Sequence, residues 1–190
     1  TVDRVVITHD HADHLHGIDD LRQAAHNRGD QVPVYGRADL LERVRERFSY
    51  LFRGNALYPA VLTSHAIEGD WTLGGAKVRF VDQPHGRITS LGIRFDQDGS
   101  SISYAIDFVE LTDAMASLYQ GTDVWIADCL RRRPHPTHAH LDAVLGWARE
   151  LRVGQLLLTH LDNSMDHAQL SAELPDWAAP AYDGLEIVLE

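Results

Sequence analysis

Apolar residues along this chain come in two rhythms. Short runs of strand length fall at 4–8, 32–35, 61–67, 76–82, 91–95, 101–106, 124–127, 155–159 and 185–189. Between them lie segments where apolar residues recur at helical spacing, which predicts helices at 17–27, 38–52, 113–118, 141–151 and 168–174. Pro175 stops the last of these, because proline can neither donate the next helical hydrogen bond nor fit beneath the preceding turn. Over 38–52, Leu40, Leu41, Val44, Phe48 and Leu51 mark one face, with charges between them; Val144, Leu145, Ala148 and Leu151 do the same over 141–151. Strands alternating with helices, without a repeat or a Pro/Ser-rich linker, predict a single α/β domain over residues 1–190. The chain is already inside an apolar strand at Val5, with no initiator Met, and reads as one that has lost its beginning. Any targeting segment would lie in the lost part.

The polar residues that interrupt this pattern are concentrated just after strands. His9 follows the first run, His85 follows 78–81, Asp107 follows 102–106 and His160 follows 156–159. Loops at the ends of strands are held by a rigid sheet, so side chains there can be placed accurately. The densest group is His9-Asp10-His11-Ala12-Asp13-His14. In extended backbone, residues two apart point the same way, so His9 and His11 can grip one ion together. Asp13 and His14 follow as the chain turns toward the helix near Gly17, and can serve a second ion. Imidazole and carboxylate donors suit zinc, manganese or iron. A solvated His-rich loop would need no such spacing. An acid after a strand is also a common cap or turn former, and His85 beside Gly86 could belong to an ordinary loop.

Composition sharpens this picture in three ways. A formal charge of −11 counts against a nucleic-acid binder with a broad basic face, and suits a site whose carboxylates are neutralised by divalent cations. No apolar run is long enough to span a membrane. A single cysteine, Cys129, rules out an internal disulfide or a Cys-based zinc cluster and leaves a cytoplasmic, reducing compartment as the expectation. Cys129 itself is expected to be a buried, inert thiol.

The order H-x-H-x-D-H-x-x-G over residues 9–17, followed by His85, Asp107 and His160, resembles the metallo-β-lactamase superfamily. The resemblance extends over essentially the whole chain and is closest to the branch of phosphoribosyl cyclic phosphodiesterases related to phosphonate degradation. It implies a four-layer αββα sandwich with the site at one edge of its two sheets. It also implies two divalent metal ions (Mn or Zn, with Fe as a further candidate). His9, His11 and His85 would hold one, Asp13, His14 and His160 the other, and Asp107 would bridge them. Family members carry further strands and a small-residue loop before the first motif, and these have no counterpart here. An incomplete sheet leaves an edge open to pairing, so a homodimer is expected. Asn163 stands where some relatives place an extra zinc-binding His, so no additional zinc of that kind is expected.

Two divalent ions joined by a carboxylate can share a water, lower its pKa toward neutrality and so make hydroxide available as a nucleophile. A phosphodiester has a poor alkoxide leaving group and calls for a general acid. His138, just before the helix at 141–151, matches the catalytic His of the branch and is the candidate; His135 and His140 are its rivals. Arg131, Arg132 and Arg133 form the one dense basic cluster near these residues and are candidates to hold a second phosphate, with Arg87 a weaker one. A run of charges is more often just a solvated turn. Asp162 and Asp166 could orient ligand histidines or serve as turn and cap residues. His16, His26, His65 and His167 are read as surface or packing residues. The expected activity is therefore hydrolysis of a cyclic phosphodiester of a phosphorylated ribose, a small-molecule substrate, with Asp107 and His138 in the catalytic machinery. Thioester or lactone hydrolysis, as in glyoxalase II-like branches, would need no general acid. An RNA-processing enzyme is disfavoured by charge. A non-catalytic metal-binding or partner-binding domain is the alternative outside enzymology.

Overall fold

The computed structural model describes residues 2–189, and the chain divides into two compact units, one up to Glu68 and one from Gly69 onward. The first unit is built on a parallel sheet of three strands, β1 (Val5–Val6), β2 (Val32–Gly36) and β3 (Leu62–Ala66), in that order. Parallel neighbours need a crossover, and helices supply each one. Between β1 and β2 run α1 (Ala12–Leu15), a 3-10 turn (His16–Asp20) and α2 (Leu21–Arg28). Between β2 and β3 run α3 (Ala38–Arg47) and α4 (Ser49–Phe52). Leu40, Leu41 and Val44 on α3 bury against Val32 and Val34 of β2, as their helical spacing requires. The helix expected over 38–52 is interrupted at Phe48, whose backbone (φ −114°, ψ 37°) leaves the helical region before Ser49 restarts it. Leu51 is still fully buried, so the apolar periodicity passes through a break that it cannot register.

The second unit is a seven-stranded mixed sheet, ordered β10-β9-β8-β7-β6-β5-β4. β4 (Trp71–Leu73), β5 (Ala76–His85), β6 (Ile88–Gln97) and β7 (Ser100–Ala105) pair antiparallel. β8 (Val124–Asp128), β9 (Gln155–Thr159) and β10 (Ala178–Pro180) continue parallel to β7. The crossovers carry α5 (Asp113–Tyr119), α6 (Leu141–Glu150) and α7 (His167–Glu173). Trp125, Tyr119, Phe108 and Leu156 are fully buried in the core they share. Two helix starts are capped from the side chain. Thr112 accepts from the Met115 amide and Asp166 from the Gln169 amide.

This topology positions chemistry. β5 runs opposite to β6 and β6 opposite to β7, so β5, β7, β8 and β9 all point the same way. Their C-terminal ends therefore share one sheet edge, and His85, Asp107, Asp128 and His160 all lie at or just beyond those ends.

The strand expected at 185–189 is absent. β10 ends the sheet on that side, residues 185–189 find no partner strand among the described residues, and Val188 is 86% exposed. An alternating pattern without a neighbouring ladder has nothing to pair with. β10, an Ala-Ala-Pro stretch, and β4 escaped the pattern reading; Pro180 is accommodated because an edge strand can lack a donor. Among the described residues no helix is long and apolar enough to cross a membrane.

Candidate metal centre

In the first unit, the Ile7 amide extends the β1–β2 pairing by donating to the Tyr35 carbonyl (2.9 Å), and the chain then enters the motif. His9 is 1% exposed, and its ring lies 4.7 Å from that of His11 and 4.4 Å from that of His14. Asp13 Oδ2 lies 3.2 Å from His14 Nε2. Asp10, between the two histidines, plays another part. It accepts a 2.9 Å hydrogen bond from Arg43 Nε, and Arg47 donates to its carbonyl (3.2 Å), which ties the motif to α3. The Arg43 hydrogen bond, partly offset by burial, holds the Asp10 carboxyl below its ordinary pKa. Asp10 is thus an anchor for the loop, which the motif alone did not distinguish from a ligand.

In the second unit, one carboxylate is the focus. Asp107 is 1% exposed, with His85 Nε2 at 3.1 Å, His160 Nε2 at 3.4 Å and His138 Nε2 at 3.9 Å. Ligand atoms of Asp107, His138 and His160 all lie within 4.8 Å of one another. His85 is fixed from behind, with Nδ1 2.7 Å from the Thr137 carbonyl. That contact directs the proton of a neutral ring to Nδ1 and turns the Nε2 lone pair toward Asp107, the usual orientation of a ligating imidazole. A lone pair facing a carboxylate is repulsive unless a proton or a cation stands between them. Burial alone would lower the His85 pKa, but the Asp107 carboxylate and the Thr137 carbonyl outweigh it and raise the pKa. The field that retains a proton there would also attract a metal ion. The donors present, imidazole and carboxylate without a thiolate, fit a borderline divalent metal.

The sheet edge also reveals a residue that pattern reading passed over. Asp128, at the end of β8, is fully buried; its Oδ2 lies 3.0 Å from His138 Nδ1 and accepts from the Phe108 amide (3.3 Å). His160 Nδ1 is 3.7 Å from the other oxygen, and the His138 and His160 rings stack at 5.0 Å. A buried acid ending an apolar strand was the available signal. The rivals of His138 have other engagements. His135 Nδ1 accepts from the Thr137 amide (3.3 Å) inside its turn, and His140 precedes α6 without capping it. Asp162 Oδ1 closes a turn with Ser164, and Asp166 caps α7, so both take the turn and cap roles.

Two of the site residues sit in backbone conformations that side chains disfavour. Asp107 (φ +53°) and His160 (φ +58°) are left-handed, two of only four such non-glycine residues among those described. Around Asp107 the conformation is supported by a buried polar network. Tyr119 donates to Gln83 Oε1 (2.7 Å), while Gln83 Nε2 donates to Ser90 Oγ and the Ile106 carbonyl (both 2.9 Å). Ser90 Oγ in turn donates to the Asp107 carbonyl at 2.7 Å. Gly92 leaves the room for this network, since a Cβ there would run into the Tyr119 hydroxyl and the Gln83 carboxamide.

The three arginines separate. Arg131 folds back on its own loop, with Nε on the Arg133 carbonyl (3.2 Å) and Nη2 on the Pro134 carbonyl (2.8 Å). Arg132 pairs with Glu173 at 2.6 Å. Arg133 is exposed, as is Arg87 at the β5–β6 turn.

Residues 1–161 match the beta-lactamase superfamily domain. A solved diphosphatase described as a member of the PhnP family is 32% identical, with a TM-score of 0.85, over 96% of this chain and 69% of that one. The metallo-beta-lactamase fold protein YhfI from Bacillus subtilis is 24% identical (TM-score 0.79; 96% of this chain, 76% of that one), a likeness of fold. An octanoyltransferase from Porphyromonas gingivalis is 27% identical over 100% of this chain, which spans only 38% of that relative's length.

Proposed function

Since this chain belongs to the metallo-β-lactamase superfamily, in its PhnP-like branch, we propose that it is a dinuclear metal-dependent phosphodiesterase that opens a cyclic phosphate of a phosphorylated ribose. On this reading residues 1–190 act as one hydrolase domain. His9, His11 and His85 hold one ion, Asp13, His14 and His160 the other, and Asp107 serves both. Each unit by itself supports the assignment. The first gathers three imidazoles and Asp13 on one short loop, and the second turns His85 and His160 toward Asp107. When bound, two divalent ions would activate a water and neutralise charge on the phosphoryl oxygens.

The observation that carries a phosphodiester over an ester with a better leaving group is the Asp128–His138 pair. Asp128 takes Nδ1 of His138 and so fixes both the tautomer and the orientation of the ring, leaving Nε2 to deliver a proton. As the oxygen of water adds to phosphorus, the bond to the sugar oxygen breaks. His138 Nε2 protonates that departing oxygen, and the product is a phosphate monoester. Acyl transfer through an enzyme thiol has little support, because burial pushes the Cys129 thiol up to about 12.

The test is hydrolysis of two phosphodiesters by metal-loaded protein against a chelator-stripped control. One diester carries an activated aryl leaving group and the other an alkyl one. His138→Ala should lose roughly a hundredfold or more on the alkyl diester and far less on the aryl one. Equal losses on both would remove His138 as the acid. Turnover of thioesters or lactones, with neither diester touched, would overturn the phosphodiesterase reading.

A further inference from the structure

We propose that Thr137 is a positioning residue that registers the acid His138 against the ligand candidate His85, and that Gly86 is the seat against which it is set. This inference rests on the phosphodiesterase reading and deepens it, since it names the contact that ties the acid to the metal centre.

The loop between β8 and α6 is closed at its base and held at its tip. At the base, the Leu130 amide donates to the Ala139 carbonyl (3.1 Å) and the Leu141 amide to the Arg131 carbonyl (3.0 Å). At the tip, His85 Nδ1 donates to the Thr137 carbonyl at 2.7 Å. The Thr137 amide donates to His135 Nδ1 (3.3 Å), and the Thr137 hydroxyl lies 3.2 Å from the same nitrogen. The next residue is His138, whose Nδ1 meets Asp128 at 3.0 Å and whose ring lies 4.7 Å from that of His85. The carbonyl that holds His85 and the backbone nitrogen of His138 therefore belong to one peptide group. That group is planar and rigid, so neither end can move without the other.

Gly86 decides where this peptide rests. The two-residue turn Gly86-Arg87 joins β5 to β6, with His85 paired to Ile88. Gly86 has φ +61°, which suits glycine at the first position of a tight hairpin turn. Packing demands glycine for a second reason. A Cβ at Gly86 would stand 2.5 Å from Thr137 Cγ2 and 3.4 Å from Thr137 Cβ. Carbon atoms in contact prefer about 3.5–4.0 Å, so that Cβ would displace the Thr137 methyl by about 1 Å. Turning the methyl away about χ1 would carry the hydroxyl off His135. Either response disturbs the peptide that serves both histidines.

The experiment compares wild type with Gly86→Ala, Thr137→Ser and the double variant Gly86→Ala/Thr137→Ser, each loaded with zinc. Thr137→Ser removes the methyl and keeps the carbonyl and the hydroxyl. Turnover of an alkyl and an activated aryl phosphodiester is one readout. The imidazole N–H resonances of His85 and His138 in proton–nitrogen NMR spectra are the other. Gly86→Ala should lower kcat on the alkyl diester by about a hundredfold, the scale of a misplacement near 1 Å, with a smaller loss on the aryl diester and a smaller change in KM. Both imidazole resonances should shift together. The double variant should regain about tenfold or more in kcat on the alkyl diester, up to the level of Thr137→Ser, and both resonances should return to their positions in that variant. Backbone strain alone makes the opposite forecast, because the positive φ at position 86 persists in the double variant and nothing would recover. Absence of recovery therefore overturns the proposal, as does a Gly86→Ala protein that shifts the His85 resonance and leaves that of His138 in place. Should Gly86→Ala fail to fold, a folded double variant is the same rescue, and a double variant that also fails to fold overturns it. If the wild type turns over neither diester, yet both resonances move in Gly86→Ala and return in the double variant, the phosphodiesterase reading falls and the positioning role stands.

Discussion

Replacing Gln83 with Leu tests how the protein holds Asp107 in a conformation that its side chain disfavours. The Gln83 carboxamide is fully buried, with its oxygen accepting from Tyr119 and its nitrogen donating to Ser90 and the Ile106 carbonyl. Leu fills a similar volume but removes all three contacts. Ser90 Oγ keeps its own bonds to the Ile106 and Asp107 carbonyls, so those acceptors stay partly satisfied. The Tyr119 hydroxyl, in a ring with no exposed surface, is the group left stranded. A buried polar group without a partner costs about 1–3 kcal/mol, and two lost net hydrogen bonds add about 1–2 kcal/mol. A total near 3 kcal/mol lowers Tm by about 6–12 °C for a chain of this size. The decisive comparison is the double variant Gln83→Leu/Tyr119→Phe, which removes both ends of the strongest bond. It should recover about 1–3 kcal/mol relative to Gln83→Leu alone in thermal and urea melts. Metal stoichiometry, read by elemental analysis after dialysis, should fall in both variants because both lack the Gln83 bond to the Ile106 carbonyl, next to Asp107. A double variant less stable than Gln83→Leu would refute the stranded-hydroxyl account. Full metal retention in both would refute the link to Asp107.

Three further outcomes follow from other parts of the molecule. Asp128→Asn should cut turnover of an alkyl phosphodiester by about tenfold or more and spare an activated aryl diester, with steady-state kinetics as the check. Asp96 is a pH probe: burial would raise its pKa, but hydrogen bonds from Arg79 and Arg94 (both 2.9 Å) prevail and lower it. A lowered folded pKa contributes stability above the unfolded value near 3.9 that is lost as pH falls through the folded one, so Asp96→Asn should melt below wild type at pH 7 and converge with it only as pH falls below that unfolded value through the lowered folded pKa. Cys129, fully buried with its pKa pushed up by burial and Asp128 to about 12, should resist alkylation natively at pH 8 and react only in denaturant.

What the sequence disclosed and what it hid divide along a physical line. The six positions from His9 to His14 are legible because their chemistry and spacing are local. Extended backbone brings His9 and His11 to one side whatever the rest of the fold does. His85, Asp107 and His160 are legible because each follows an apolar run, and strand ends are where a sheet presents side chains. Asp128 follows the same rule, ending the apolar strand β8, but its role shows only once the loop holding His138 is folded against it. Gln83, Ser90 and Tyr119 are uncharged, and they meet only through the β5–β6 pairing and through α5, which packs against β5 and brings Tyr119 from 36 residues away. The three arginines were indistinguishable as letters, since their partners lie in the loop's own carbonyls and on α7. The strand at 185–189 failed for the opposite reason, a sound local pattern without a neighbour to complete it.

The left-handed backbone at Asp107 makes its charge separable from its shape. A non-glycine residue held at φ +53° costs about 1–3 kcal/mol, but Asn tolerates this region better than other side chains. Asp107→Asn therefore removes the carboxylate with little backbone penalty, whereas Asp107→Ala adds strain of about 1 kcal/mol. If Asp107 serves as the shared ligand, metal content should fall in both variants. Only the Ala variant should also lose thermal stability in chelator, by about 2–4 °C. Elemental analysis and melts in EDTA, run side by side, separate the two effects. An Asn variant that keeps two equivalents of metal would mean that Asp107 serves the backbone alone, with its position at the sheet edge no longer evidence for a ligand. An Asn variant that melts with the wild type in chelator but cannot retain metal assigns this strained position to the ion.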